Sequence, residues 1–213
     1  MIKNYLKLLR PEQYVKNLFV FLPAFFSFQL FSYNVFIKVS IVFVTFSAAA
    51  SVVYIINDIM DMESDRRHPF KKNRPIASGA VPVKWALLLA CLLFLSGTFF
   101  SYVFNKNLFV IILLYLVMNL LYSFKLKHIP IIDINIIAIG FVLRVFAGAV
   151  VIYNSPSMWI IILTYILSLF LAIGKRRDYV LLYENGLSVR KSIDGYNIQI
   201  IDSAMHIMAT ITI

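Results

Sequence analysis

The residue types best suited to chemistry are gathered in one short run, Asn57-Asp58-Ile59-Met60-Asp61-Met62-Glu63-Ser64-Asp65. Asp58, Asp61 and Asp65 are spaced i, i+3, i+7, so a continuing helix puts all three on one face, and Asn57 and Asp61 stand at i, i+4. Carboxylates stacked this way repel one another unless a cation is bound. Hard oxygen donors suit Mg²⁺, which takes few carboxylates and completes its octahedron with water and phosphate oxygens. The plain alternative is a solvated helix end, its acids screened by Arg66 and Arg67. The next residues shift the balance: Arg66, Arg67, His68, Lys71, Lys72 and Arg74 follow at once, then Pro75 to Gly79. An acidic face beside Arg and Lys is what a diphosphate site needs, because metal takes some phosphate oxygens and the basic groups take others. His68 reads as a loop residue without chemistry. Cys91, the single cysteine, reads as a small apolar residue that can form no intrachain disulfide.

The elements that must position this run are membrane helices. The chain has 213 residues, 61% hydrophobic and 14% charged, with a mean hydropathy of +0.84. An ordinary globular domain carries about 25% charged residues. A water-soluble single-core domain is excluded, and so is a disordered chain. A bilayer crossing takes roughly 20 apolar residues, and spans are expected at about 18–33, 35–56, 82–104, 107–124, 131–153 and 157–174. A further apolar stretch from Ile200 offers about 14 residues, too few to cross alone. No cleavage-like site follows the first apolar run, so no signal peptide is expected. The reading is one membrane domain over 1–213, with 1–17 a basic amphipathic segment in the interface and 57–80 a catalytic loop.

Net charge is +10. In a soluble chain this would suggest nucleic acid, but the basic residues fall in alternate short loops. Lys3, Lys7, Arg10 and Lys16 precede the first span; Arg66, Arg67, Lys71, Lys72, Arg74 and Lys84 follow the second; Lys125 and Lys127 follow the fourth. Lys175, Arg176, Arg177, Arg190 and Lys191 follow the sixth, whereas the other loops hold only Lys38 and Lys106. This alternation implies a multi-pass plasma (inner) membrane protein with its N-terminus and charge-rich loops in the cytoplasm, and no nucleic-acid partner.

Asn57-Asp58-x-x-Asp61-x-x-x-Asp65, at a span end and followed by Arg74-Pro75-Ile76-Ala77-Ser78-Gly79, resembles the NDxxDxxxD signature of the UbiA superfamily of intramembrane prenyltransferases. Arg10-Pro11-Glu12-Gln13-Tyr14-Val15-Lys16-Asn17 resembles the RPxQWVKN opening of its decaprenyl-phosphate phosphoribosyltransferase branch. So do Tyr122-Ser123-x-x-x-Lys127 with Asp133, Gly140-Phe141-x-x-Arg144-x-x-Ala147-Gly148, and Gly174-Lys175-Arg176-Arg177. The resemblance covers nearly the whole chain. It implies an all-α polytopic bundle, a polyprenyl-phosphate acceptor, 5-phosphoribosyl diphosphate as donor, Mg²⁺, and a place in cell-wall synthesis. Prenyl-transferring members generally carry a second motif, DxxxD, where this chain has Asp133-Ile134-Asn135-Ile136-Ile137 with one carboxylate, which suits the phosphoribosyl branch. The family has nine spans, so this chain reads as short at its C-terminal end, with six or seven.

On this resemblance Asp58 and Asp61 are the first choice for Mg²⁺, supported by Asn57 and Asp65. Arg66, Lys72 and Arg74 are candidates for donor phosphates. Lys16, Lys127, Lys175 and Arg176 could hold a second phosphate; the alternative for each is a positive-inside anchor. Tyr122 and Asp133 are further binding candidates. Asp133 and Arg144 are eleven residues apart, within roughly 20° on one helix face and about 16 Å in depth, too far for direct contact. An ionised group at that depth usually faces a cavity or a partner, which puts Arg144 with Asp58, Asp61 and Lys16 as a catalytic candidate, against a purely structural role. The rival readings are an aromatic prenyltransferase of quinone or haem synthesis, and a non-catalytic transporter or scaffold. Whether the chain forms a homo-oligomer is left open.

Overall fold

The computed structural model describes residues 2–184 and 197–212; Arg190 and Lys191 lie outside the described residues. Every regular element among those residues is helical. The order is α1 (Ile2–Leu9), a 3-10 segment (Pro11–Phe21), α2 (Leu22–Phe26), α3 (Tyr33–Met60), α4 (Met62–Arg67), a 3-10 turn (Lys71–Asn73), α5 (Val83–Phe104), α6 (Lys106–Phe124), a second 3-10 turn (Leu126–His128), α7 (Ile132–Val151), α8 (Met158–Glu184) and α9 (Ile198–Thr212).

Five of these helices, α3, α5, α6, α7 and α8, are long and apolar enough to cross a membrane. Caps and breakers set their ends. The Asn105 side chain accepts hydrogen bonds from the amides of Asn107 (2.9 Å) and Leu108 (3.0 Å), so one residue ends α5 and starts α6. Pro82 stands at the start of α5. Leu92, Leu95, Phe99, Phe100 and Leu114 point outward, more than half exposed. Such an apolar surface is what hydrocarbon, not water, accommodates.

The expected span at 18–33 is not a span-length helix. The 3-10 segment ends at Phe21, α2 is five residues long, and the chain turns through Ser27–Ser32, with Phe28 at φ 57°. The cause lies in α7. A Cβ added at Gly148 would meet the Val20 carbonyl oxygen at 1.8 Å, so the segment's backbone lies directly on the bare glycine. Asn17 and Val20 are buried there, whereas Pro11, Glu12, Val15 and Lys16 are exposed. In contrast, α8 runs ten residues beyond the expected end at 174, because charged residues need not stop a helix where they find partners.

The core joins Val20 and Ala24 to Val39, Val42 and Phe46 of α3, Leu108, Ile112 and Tyr115 of α6, and Leu143, Ala147 and Val151 of α7. A second cluster seats α1: Leu8 packs with Ile55, Ile76, Val81 and Ala86. A third joins α7, α8 and α9 through Ile134, Ala138, Ala172 and Ile201. α3 and α7 are thus the most enclosed spans, and the candidate residues other than Arg144 lie at or near one end of both.

Candidate active site

Helix α3 breaks at Asp61 (φ −89°, ψ 3°), and α4 begins one residue later. The acidic run is therefore a kinked corner, and its carboxylates part company. Asp58 and Asp65 are almost fully buried and turn to one arginine: Arg74 Nη1 donates to Asp65 Oδ2 at 2.6 Å and to Asp58 Oδ1 at 3.2 Å. Arg10 Nη2 donates to the same Asp58 oxygen. Asp61 turns elsewhere and accepts from Lys127 Nζ at 2.5 Å. Buried charge without a partner is costly, so these pairs are what allow the acids to sit inside.

Arg10 was not among the candidates read from sequence, although it heads the quoted opening motif. It sits in the left-handed region (φ 54°, ψ 57°) between α1 and the 3-10 segment, its guanidinium 5.4 Å from the Tyr54 ring centre. A further pair closes the other side: Arg176 of α8 donates to Asp133 Oδ2 through Nε (2.7 Å) and Nη2 (2.6 Å), both residues buried. Asp133 opens α7 after a tight turn, in which the Ile132 amide bonds the Pro130 carbonyl at 2.8 Å and Ile131 takes φ 69°. Four elements besides the acidic run thus supply cations to one end of the bundle.

Arg144 lies apart from this rim, 4% exposed. Its Nε donates to Asn17 Oδ1 (2.8 Å), Nη1 to the Gly140 carbonyl (2.7 Å) and Nη2 to the Tyr115 hydroxyl (3.2 Å). The rings of Phe46, Tyr115 and Phe141 surround it at 5.0–5.2 Å. Asn17 in turn donates to Ser47 Oγ at 2.9 Å, and the Tyr14 hydroxyl lies 2.8 Å from Ser51 Oγ. Arg144 therefore fastens the 3-10 segment to α3, α6 and α7, and its bonds go to none of the motif carboxylates. Asn17 and Tyr115 were also missed by sequence, since their role comes only from meeting Arg144 across 127 and 29 residues.

Lys16 projects from that segment with part of its side chain exposed. Desolvation by the surrounding protein lowers its pKa, and the positive charges of Arg144, Lys175 and Arg10 lower it further. That crowding of cations favours an anion. Lys175 is exposed at the same end and Tyr122 is half-buried near the end of α6. Arg66 faces outward, bonded to Glu63 (2.8 Å) and the Ala77 carbonyl (3.2 Å), and Lys72 is exposed on the 3-10 turn. Asn57 is half-buried beside Asp58.

Among the described residues, no three His, Cys, Asp or Glu side chains form a ready metal cage. The reason is the pairing above, since each acid faces an Arg or Lys. The donor chemistry nevertheless fits a hard divalent ion. Asp58 and Asp65 are brought together on one Arg74 nitrogen, with the amide of Asn57 adjacent in sequence and Asp61 at the same corner.

Solved structures of similar fold include a UbiA homologue from Archaeoglobus fulgidus bound to DMAPP and Mg²⁺, with a TM-score of 0.77 and 20% identity over 98% of this chain and 75% of that one. At that identity the likeness is one of fold. By sequence, the chain is 40% identical over 201 residues to the decaprenyl-phosphate phosphoribosyltransferase of Mycolicibacterium smegmatis, covering 92% of this chain and 63% of the relative. It is 39% identical to that of Corynebacterium glutamicum, covering 90% and 59%. The chain thus spans about three fifths of the length of these relatives. The UbiA prenyltransferase family itself matches residues 19–181, which takes in α3 to α7, most of α8 and all four carboxylates of the rim. The chain belongs to the UbiA prenyltransferase family.

Proposed function

We propose that the chain moves 5-phosphoribose from 5-phosphoribosyl diphosphate to a polyprenyl phosphate, releasing diphosphate, at the membrane end that carries Asp58, Asp61, Asp65 and Asp133. The observation that carries this reading is the second acidic position: Asp133 is a single carboxylate already bound to Arg176. A like-charged pair at that point would repel an incoming lipid phosphate, whereas Asp133 with Arg176 adds no net negative charge. The relatives named for this activity support the same choice.

In this reading the acceptor phosphate, ionised near neutral pH, attacks C1 of the ribose. The C1–oxygen bond breaks and its electron pair leaves with diphosphate, so no strong general base is needed. Asn57, Asp58, Asp61 and Asp65 are the residues that would hold Mg²⁺, which when bound neutralises charge on the departing diphosphate. Arg66, Lys72 and Arg74 serve the donor phosphates; Lys16, Lys127, Lys175 and Arg176 serve a second phosphate, with Tyr122 beside them. Arg144 positions the segment that carries Lys16. Positioning and charge stabilisation then carry most of the rate. In this reading the charge-rich end faces the cytoplasm of the plasma membrane, which the Lys/Arg alternation supports.

Calorimetry in detergent tests the donor. Mg²⁺-dependent binding of 5-phosphoribosyl diphosphate, weakened by Lys72→Ala or Arg74→Ala, is expected. Binding of geranyl diphosphate in its place would make this an aromatic prenyltransferase, and binding of neither would favour a non-catalytic role.

A further inference from the structure

The guanidiniums nearest the motif carboxylates are not standing ready for a phosphate. Arg10 and Arg74 both rest on Asp58, Arg74 also on Asp65, and Lys127 rests on Asp61. The exposure within these pairs is uneven: the Arg10 and Arg74 side chains are 22% and 28% exposed, those of Asp58 and Asp65 only 2% and 4%. An anion arriving from water meets the guanidiniums first, with carboxylates behind them that already occupy their donors. We propose that the motif carboxylates hold Arg10 and Arg74 in reserve, and that a divalent cation taking those carboxylates releases the two guanidiniums to bind phosphate oxygens.

The exchange follows from competition for the same oxygens. A hard divalent ion and a guanidinium both seek the Asp58 and Asp65 carboxylates. Once the ion has them, two half-buried arginines are left without anions, which is a costly state. Phosphate oxygens relieve it, because the guanidinium fork fits phosphate as well as it fits carboxylate. Arg10 has a second foothold on the Tyr54 ring face, 5.4 Å away, so it can leave Asp58 without being fully desolvated and unsupported. The metal and the phosphate then favour each other's binding, and by linkage the coupling is the same in both directions, typically about 5–150-fold. The same device keeps Arg10 and Arg74 from stray anions until a divalent cation arrives.

This inference rests on the diphosphate-site reading but makes a separate prediction, opposite in sign to that of a simple metal ligand. The probe is inorganic diphosphate, titrated calorimetrically into the full chain in lipid nanodiscs with EDTA present. Asp58→Asn frees Arg10 and leaves Arg74 on Asp65 alone, so it binds metal-free diphosphate at least about 5-fold more tightly than wild type. Glu12→Gln, which removes an exposed acid of the neighbouring 3-10 segment that pairs with none of these cations, leaves metal-free affinity unchanged and so controls for net charge. Metal-free affinity in Asp58→Asn equal to or below wild type overturns the exchange, and so does an equal gain in Glu12→Gln. A second arm leaves every carboxylate intact: Arg10→Gln with Arg74→Gln binds Mn²⁺ alone more tightly than wild type, because its competitors are gone. Unchanged or weaker Mn²⁺ affinity there also overturns it, and this arm stands even where Asp58→Asn does not fold. A wild type that binds no diphosphate with Mg²⁺ fails at an earlier point and defeats the diphosphate-site reading itself.

Discussion

Replacing Gly148 with alanine tests whether the 3-10 segment is seated on α7 as described. The new methyl would lie 1.8 Å from the Val20 carbonyl oxygen and 2.9 Å from its carbon, where ordinary contact begins at 3.4 Å. Backbone cannot yield as a side-chain tip can, so the segment must back away. Overpacking of this kind costs about 1–3 kcal/mol. The retreat also pulls Asn17 from Arg144, a charged hydrogen bond of 2.8 Å, worth about 1.5–3 kcal/mol. Better helix propensity returns roughly 1 kcal/mol. The net loss is about 1.5–5 kcal/mol, or roughly 3–20 °C in thermal midpoint for a chain of this size. Gly140→Ala and Gly97→Ala are matched controls, since their new methyls meet nothing nearer than 3.5 and 3.8 Å. They should melt with or slightly above wild type. Heating detergent-solubilised protein and counting what survives size exclusion gives the midpoints. Equal melting of Gly148→Ala and Gly140→Ala would refute the seating, and with it the account of why residues 18–33 do not form one long helix.

Asp58→Asn and Asp61→Asn should each abolish turnover while the purified protein still elutes as a folded species; near-wild-type activity at saturating Mg²⁺ would remove the residue from the metal set. Arg144→Leu leaves Asn17, the Gly140 carbonyl and Tyr115 without their donor, at about 1–3 kcal/mol for each buried group not otherwise satisfied. It should therefore lower the thermal midpoint as well as activity, with partial rescue by Arg144→Lys; unaltered melting and activity would make Arg144 dispensable. Anion binding near Lys16 should raise its depressed pKa, so diphosphate binding should take up protons in the alkaline window between the depressed and ordinary values. Calorimetry in buffers of different ionisation enthalpy reads this uptake, and its loss in Lys16→Met identifies the group. For stability the sign is set by the same shift: the unfolded chain holds this proton more firmly, so stability should rise as pH climbs through Lys16's folded-state pKa. In a Cys91→Ala background, Arg74→Cys should label only from the cytoplasmic side of intact cells; labelling from outside would invert the topology.

Hydropathy placed α5, α6 and α7 to within two residues, because each is an uninterrupted apolar run bounded by Pro82, Asn105 or Pro130. At 18–33 it missed the form of the segment, a 3-10 stretch and a short helix in place of one long helix, for a reason that no local property carries. That stretch is apolar enough, but its path is set by Gly148, more than a hundred residues away. It failed at the end of α8 because hydropathy falls at Lys175, while the helix continues to bring Arg176 onto Asp133. The acidic corner was legible as a cluster of hard donors. Its pairing was not, since Asp58 with Arg10 spans 48 residues and Asp61 with Lys127 spans 66. The i, i+3, i+7 spacing of the acids also promised one continuous face, which the break at Asp61 divides.

Transfer of the ribose to lipid can be followed directly. Purified chain in nanodiscs, incubated with Mg²⁺, polyprenyl phosphate and 5-phosphoribosyl diphosphate labelled in the ribose, should carry label into the lipid phase and release one diphosphate per lipid labelled. That label should vanish in Asp58→Asn. Label transfer that persists in Asp58→Asn, or a wild type that leaves the lipid unlabelled while prenylating an aromatic acceptor from geranyl diphosphate, would contradict the account.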